Sequence, residues 1–449
     1  MDKNNYREHF KRNFVLAYPV VLSQLGHVLV GTADSMMVGR VGVTELAAAS
    51  AANAVFGILM MFGIGVSFGL TPIIAIADGQ DDDRKSMRFL KHSFIINLIC
   101  GSVLFIIMLF GAELLSLLNQ PEEVVILAKP YLEVIGLSLI PFMLFQTFKQ
   151  FAEGLSFTKQ AMYITLGANV VNILLNYILI FGKLGTEPMG LVGAGWATLI
   201  ARILMAVMML SFVVFNKRFY KYWQFFSSAM WNGKSFKELL NLGVPTGFQY
   251  IFEVGAFATA AIMIGWMGTI PLAAHQVAIN LASISYMMAT GIAAAATVRV
   301  GNQLGKRDLP SMKMAAFTCY IMAAIFMIIT GLIFTLGNEW LPMLYSNDGQ
   351  VIATASSLLI IAALFQLSDG IQVVGLGTLR GMGDVKLPTL VTFAAYWLIG
   401  LPLGYLMAFH LDLKEQGVWY GLLIGLSVTA IILVLRFRTK SNELATKFK

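Results

Sequence analysis

Twelve apolar stretches, each long enough to cross a bilayer as a helix, set the terms for this chain. They lie near 14–38, 46–76, 92–112, 126–148, 161–182 and 190–215, then 239–266, 272–298, 314–337, 352–377, 387–409 and 417–435. A spanning helix takes about 20 apolar residues. No run shows the alternation of a barrel strand. Only 12% of the 449 residues are charged and 58% are hydrophobic, where soluble domains carry about 25% charge. A soluble globule, a disordered chain and a nucleic-acid-binding module are excluded, so the expected surroundings are the lipid bilayer and the fold class is all-α, polytopic. The polar start, Met1–Arg12, and the length of the first stretch read as a mature helix rather than a signal peptide.

Basic residues give the orientation. With the N-terminus inside, the inward segments hold 26 Lys and Arg, the outward side holds four (Arg40, Lys129 at the outer end of the fourth stretch, Lys183, Lys414), and Arg202 alone falls well inside a stretch. Cytoplasmic loops carry the excess of Lys and Arg, so both termini are expected in the cytoplasm. The net charge of +7 is then a topological signal and not a nucleic-acid footprint. Cys100 and Cys319 lie in apolar stretches and are expected as packing residues.

The halves repeat. One constant shift lays Pro19 on Pro245, Leu46-Ala47-Ala48 on Leu272-Ala273-Ala274, Gly65 on Gly291, Thr71 on Thr297 and Gly79 on Gly305; one position further, Gly154 and Lys159 fall on Gly381 and Lys386. Six spans per half is an even number, so both halves enter the membrane in the same sense. Twelve transmembrane helices in two six-helix bundles, related by a pseudo-two-fold axis along the membrane normal, are expected. The expected boundaries are an N-terminal bundle over 1–220, an inter-lobe linker over 221–238 and a C-terminal bundle over 239–449.

Three carboxylates lie well inside the apolar stretches: Asp34, Glu253 and Asp369. Each costs about 2.5–3.5 kcal/mol at mid-bilayer. One Arg cannot neutralise three acids, so they read as proton or cation sites. Asn169, Asn172 and Asn176 share one helical face at i, i+3, i+7. Their amide oxygens suit a hard cation beside Asp34, with Thr198 and Asn53 adding oxygens. Phe257 follows Glu253 by one turn, Gln366 and Gln372 flank Asp369, and Gln276, Asn280, Ser283 and Tyr286 mark a polar face on the eighth span. Such stripes face protein or water, not lipid. No P-loop, zinc-protease motif or nucleophile elbow occurs in the sequence, so no enzyme activity, cofactor or bound metal is expected.

These residues resemble the multidrug and toxic compound extrusion transporters: Tyr18-Pro19, Asp34 within Ala-Asp-Ser-Met-Met-Val-Gly, Glu253, Asp369, and Arg380-Gly381-Met382-Gly383-Asp384. The two acids in the C-terminal half resemble the NorM branch. The resemblance implies efflux of small organic cations coupled to inward Na⁺, or alternatively H⁺, across the bacterial inner membrane. It implies a C-lobe cation site at Glu253, Asp369, Phe257 and Tyr286, and an N-lobe site at Asp34, Asn172 and Asn176. Substrate contacts are implied at Asp34, Gln276 and Asp348. A monomer is expected. The alternative is a flippase for a lipid-linked precursor of the same superfamily. That activity needs a cationic cavity, and three acids against one Arg favour a cationic substrate.

Overall fold

The computed structural model describes residues 3–117 and 121–448. Among the described residues, twelve helices are long and apolar enough to cross a membrane. They are α1 (Tyr6–Gly39), α2 (Val43–Gly79), α3 (Asp83–Leu109), α4 (Glu122–Gly154), α5 (Thr158–Phe181), α6 (Gly190–Phe215), α7 (Gly233–Gly265), α8 (Thr269–Gly305), α9 (Leu309–Leu336), α10 (Gly349–Gly381), α11 (Lys386–Phe409) and α12 (Lys414–Lys447). In a bilayer all backbone groups must be bonded within the segment, which is why every span is helical. The chain is an integral membrane protein.

The helices run further than the apolar stretches. Lys149, Arg299 and Arg380 lie inside α4, α8 and α10 and are buried. This corrects the expectation that Arg202 is the only basic residue within a span. Apolar character marks where lipid touches a helix, whereas a helix end buried against its neighbours can stay polar.

Two compact units form, Leu22–Gly247 and Met1–Val21 with Phe248–Lys449. For brevity these are the N-unit and the C-unit. The division does not follow the two halves of the sequence. α1 and α7 each change unit part-way, two residues after Pro19 and Pro245. The contacts explain both exchanges. In the C-unit, Asn13 Nδ2 donates to Ala315 O (3.0 Å) and Thr318 Oγ1 (2.7 Å), and Arg299 Nε donates to Asn13 Oδ1 (3.2 Å). In the N-unit, a Cβ on Gly65 would stand 2.5 Å from Gly247 Cα, so two backbones touch where only glycine fits. The segment that joins the two halves of the sequence packs within the N-unit. Phe219 and Tyr222 are buried, with rings 6.0 and 5.6 Å from Phe151. Lys221 pairs with Asp83 at 2.8 Å.

Among the described residues, three of these helices are interrupted. α2 breaks at Phe68–Gly69 and α4 at Ser138. In α11 the residues Ala394–Gly400 form a π-helix, with Leu401 N–H bonding Tyr396 O. Pro402 follows directly and lacks the N–H that would continue the α-helical ladder. Short π segments occur often at functional sites, and this one carries Tyr396 and Trp397.

Candidate functional site

In the N-unit, Asp34 sits half-buried on α1. Asn176 Nδ2 donates to Asp34 Oδ1 and to Asn172 Oδ1, the latter at 3.2 Å. Asn172 Nδ2 donates to Thr198 Oγ1 at 3.4 Å. The i, i+4 spacing on α5 puts both amides on one face, and α6 packs against that face. A chain of neutral polar groups therefore leads from a carboxylate, and Asn176 Oδ1 is buried without a partner. Asn53 does not hydrogen-bond to this chain: its Oδ1 accepts from the Tyr131 hydroxyl at 3.2 Å.

Arg202 stands one turn beyond Thr198 on α6. Its guanidinium lies 4.9 Å from the ring centres of both Phe56 and Phe142. Nη1 donates to Ser138 Oγ at 2.7 Å. Cation–π contact with two rings contributes when the charge is desolvated, and a planar guanidinium fits between faces where an ammonium would not. No carboxylate lies within ion-pair distance of it among the described residues.

In the C-unit, Glu253 on α7 and Asp369 on α10 are both buried and within electrostatic reach of one another. Gln372 Nε2 donates to Glu253 Oε1 at 3.2 Å, and the Tyr396 hydroxyl donates to Gln372 Oε1 at 2.9 Å. Tyr286 on α8 interacts with the Glu253 carboxyl group and is within reach of Asp369. Phe257 sits with its ring 6.1 Å from that of Tyr396. Glu253 Oε2 and Gln366 Nε2 are buried without partners. The structure thus brings Glu253, Asp369, Phe257 and Tyr286 into one unit around Gln372. Tyr396 and the ordering role of Gln372 went beyond the sequence reading.

Of the residues implied for substrate contact, Asp34 belongs to the N-unit and Gln276 and Asp348 to the C-unit. Gln276 is exposed on α8 and donates to Asn280 at 3.2 Å. It stands ten residues, about 15 Å of helix, from Tyr286. Asp348 caps α10, accepting from Gln350 N (2.8 Å) and Val351 N (3.2 Å), about 30 Å along the helix from Asp369.

Two units, each with a carboxylate set among amides and hydroxyls, half-buried in one and buried in the other, define a helical-bundle membrane transporter of repeated build. The MatE family model matches residues 19–178 and again 245–406, so the two matches begin at Pro19 and Pro245, the first pair that the repeat aligns. The chain is 36% identical to the multidrug resistance protein NorM of Photobacterium profundum over 97% of its length and 96% of that protein's. It is 34% identical to the multidrug resistance protein MdtK of Yersinia pseudotuberculosis, covering 94% of each. The fold is that of the eukaryotic MATE transporter AtDTX14 (TM-score 0.88, 20% identity, 99% of this chain and 100% of that one). It is equally that of an outward-facing multidrug resistance MATE family transporter (TM-score 0.88, 22% identity, 98% and 97%). The chain belongs to the MatE family and is a NorM-like member of it.

Proposed function

We propose that this chain is a multidrug efflux antiporter, exporting organic cations in exchange for inward Na⁺, or alternatively H⁺, by alternating access. It works in the bacterial inner membrane, as a monomer, with both termini cytoplasmic. The observation that carries the reading is that Asp34, Glu253 and Asp369 form no ion pair within 4.0 Å among the described residues: the groups hydrogen-bonded to Asp34 and Glu253 include the neutral amides of Asn176 and Gln372, and Arg202 and Arg380 reach Asp34 and Glu253 only at longer range. A desolvated carboxylate without a fixed cation is a site for a mobile one. The names of the NorM and MdtK relatives support the multidrug class of substrate.

Sodium is supported by the oxygens around Asp34: its own carboxylate, Asn172, Asn176 and Thr198. In the C-unit, two neighbouring acids suit one shared cation, because a second positive charge would be needed only if both stayed ionised. The coupling cation takes the carboxylates, the drug cation loses its counter-charge, and export follows.

The test is drug-cation exchange in proteoliposomes, with Na⁺ and pH gradients imposed separately. Export on a Na⁺ gradient at fixed pH is the expected result. Export on a pH gradient alone reassigns the acids as proton carriers. Flux with neither gradient removes the antiporter reading.

A further inference from the structure

The polar face of α5 does not stop at the Asp34 site. Below Asn176 and Asn172 it continues through Asn169 to Thr165, in steps of four, three and four residues, about 16 Å along the axis. Asn169 Nδ2 and Thr165 Oγ1 are buried with no partner. α4 and α5 are antiparallel about a tight turn, Phe157 N bonding Ala152 O at 2.8 Å. The last turns of α4 therefore lie at the depth of Thr165, and they carry Gln146, Lys149, Gln150 and Glu153. All four are less than a tenth exposed. Gln146 Oε1 and Gln150 Nε2 also lack partners, although Gln150 Oε1 accepts from Thr71 at 2.6 Å. Lys149 and Glu153 face each other at 3.8 Å, an ion pair too long for a direct hydrogen bond. α1 packs on the α5 face and comes within electrostatic reach of α4. A Cβ on Gly26 would meet Asn169 Nδ2 at 2.8 Å, and the next residue, His27, lies within electrostatic reach of Lys149.

A buried polar atom without a partner costs about 1–3 kcal/mol, so two on α5 and two on the last turns of α4 call for a ligand that completes them, water or a hydrated ion. Packing does not require them. In the register that lays Gly154 on Gly381, the C-unit has Val373 for Gln146, Leu376 for Lys149 and Gly377 for Gln150, and Arg380 for Glu153.

We propose that Asn169, Thr165, Gln146, Gln150 and the Lys149–Glu153 pair form the exit by which the coupling cation leaves the Asp34 site toward the cytoplasm, Glu153 being its last carboxylate. This rests on the antiporter reading above. The cation inserts at Glu153 in competition with the Lys149 ammonium, which the open geometry of the pair permits. If the ion is a proton, the Asp34 O–H bond breaks, water carries the proton, an O–H bond forms on Glu153, and that proton passes to bulk water.

The test uses the full chain in proteoliposomes, with ethidium as the exported cation. The double variant Lys149→Met/Glu153→Leu removes both charges, so neither is left buried alone. Exchange is expected to slow about tenfold or more under the effective gradient, with equilibrium ethidium binding changed less than about twofold. Asn169→Leu is expected to slow exchange in the same way. Exchange at the wild-type rate in the double variant would overturn the exit. Should that variant not fold, the reversed pair Lys149→Glu/Glu153→Lys decides: slowed exchange supports a carboxylate needed at 153, and wild-type exchange marks a structural pair. Asp34→Asn, run in parallel, separates the two readings. Gradient-driven exchange at the wild-type rate in Asp34→Asn sinks the N-unit coupling site itself, whereas slowed exchange there beside a normal double variant sinks only the exit.

Discussion

The Gln372 amide holds the Glu253 carboxylate, and that amide is itself held by Tyr396. The Tyr396 hydroxyl never needs to touch the cation to matter: it fixes which way the Gln372 amide points. With the hydroxyl gone, Gln372 can turn its oxygen toward the carboxylate and repel it. A hydrogen bond of this kind contributes about 1 kcal/mol, so Tyr396→Phe should raise the coupling-ion concentration for half-maximal exchange about fivefold. Maximal rate and drug affinity should hold, as read from exchange at stepped ion concentrations. Glu253→Gln should instead abolish the response of that site to the ion, and adding Tyr396→Phe to it should change nothing more. The three acids were legible in the sequence because a carboxylate in an apolar run is costly and conspicuous. Tyr396 was not, since one tyrosine among 14, beside 32 Phe, carries no signal until the backbone shows it inside a π-helix. Lys149, Arg299 and Arg380 were missed because they stand where apolar stretches end, and hydropathy cannot tell a buried helix end from a loop.

Within α11, the π segment decides where Tyr396 and Trp397 project. Trp397 Nε1 donates to Phe252 O at 2.9 Å, so the wide turn is tied to α7 one residue before Glu253. Its cause is local, since Pro402 offers no N–H at the following turn. Pro402→Ala supplies that donor and removes the ring's clash, an effect of about 3 kcal/mol in an ordinary helix interior. The variant should relax the segment toward α-helix, rotate Tyr396 away from Gln372 and raise thermal stability in detergent. Coupling-ion affinity should fall at the same time. A stable variant with unchanged affinity would mean that the π turn does not position the site. The close approach of α11 and α12 gives a second expectation. A Cβ on Gly421 would lie 2.4 Å from Gly404 Cα, backbone against backbone, so Gly421→Val should lower the melting temperature sharply, by overpacking worth about 1–3 kcal/mol or more. The existence of both helices was readable from hydropathy. Their contact was not, because small residues in the sequence mark where helices can approach and not which ones do.

The constant offset that carries Pro19 onto Pro245 made the repeat readable across the whole chain, but not the exchange by which the first part of α1 packs in the C-unit and the first part of α7 in the N-unit. That exchange depends on Asn13, Arg299, Gly65 and Gly247, none of which is unusual when read alone. The molecular consequence that follows from the repeat is one of charge. Each unit carries its own carboxylate site, built differently: one acid with an asparagine chain in the N-unit, two acids with glutamine and tyrosine in the C-unit. If each site carries one cation inward while one monovalent drug cation leaves, each cycle moves one net positive charge inward. A single charge crossing 100 mV is worth about 2.3 kcal/mol, so an inside-negative potential should accelerate export even with no ion gradient steeper than the drug's. Imposed with a potassium gradient and valinomycin, such a potential should speed ethidium export by the wild-type chain. Asp34→Asn leaves one working site and exchanges charge for charge, so its residual export should be indifferent to the same potential. Glu253→Gln/Asp369→Asn should behave likewise if the N-unit site still couples. A wild-type chain blind to membrane potential would mean that only one of the two units carries the ion in each cycle.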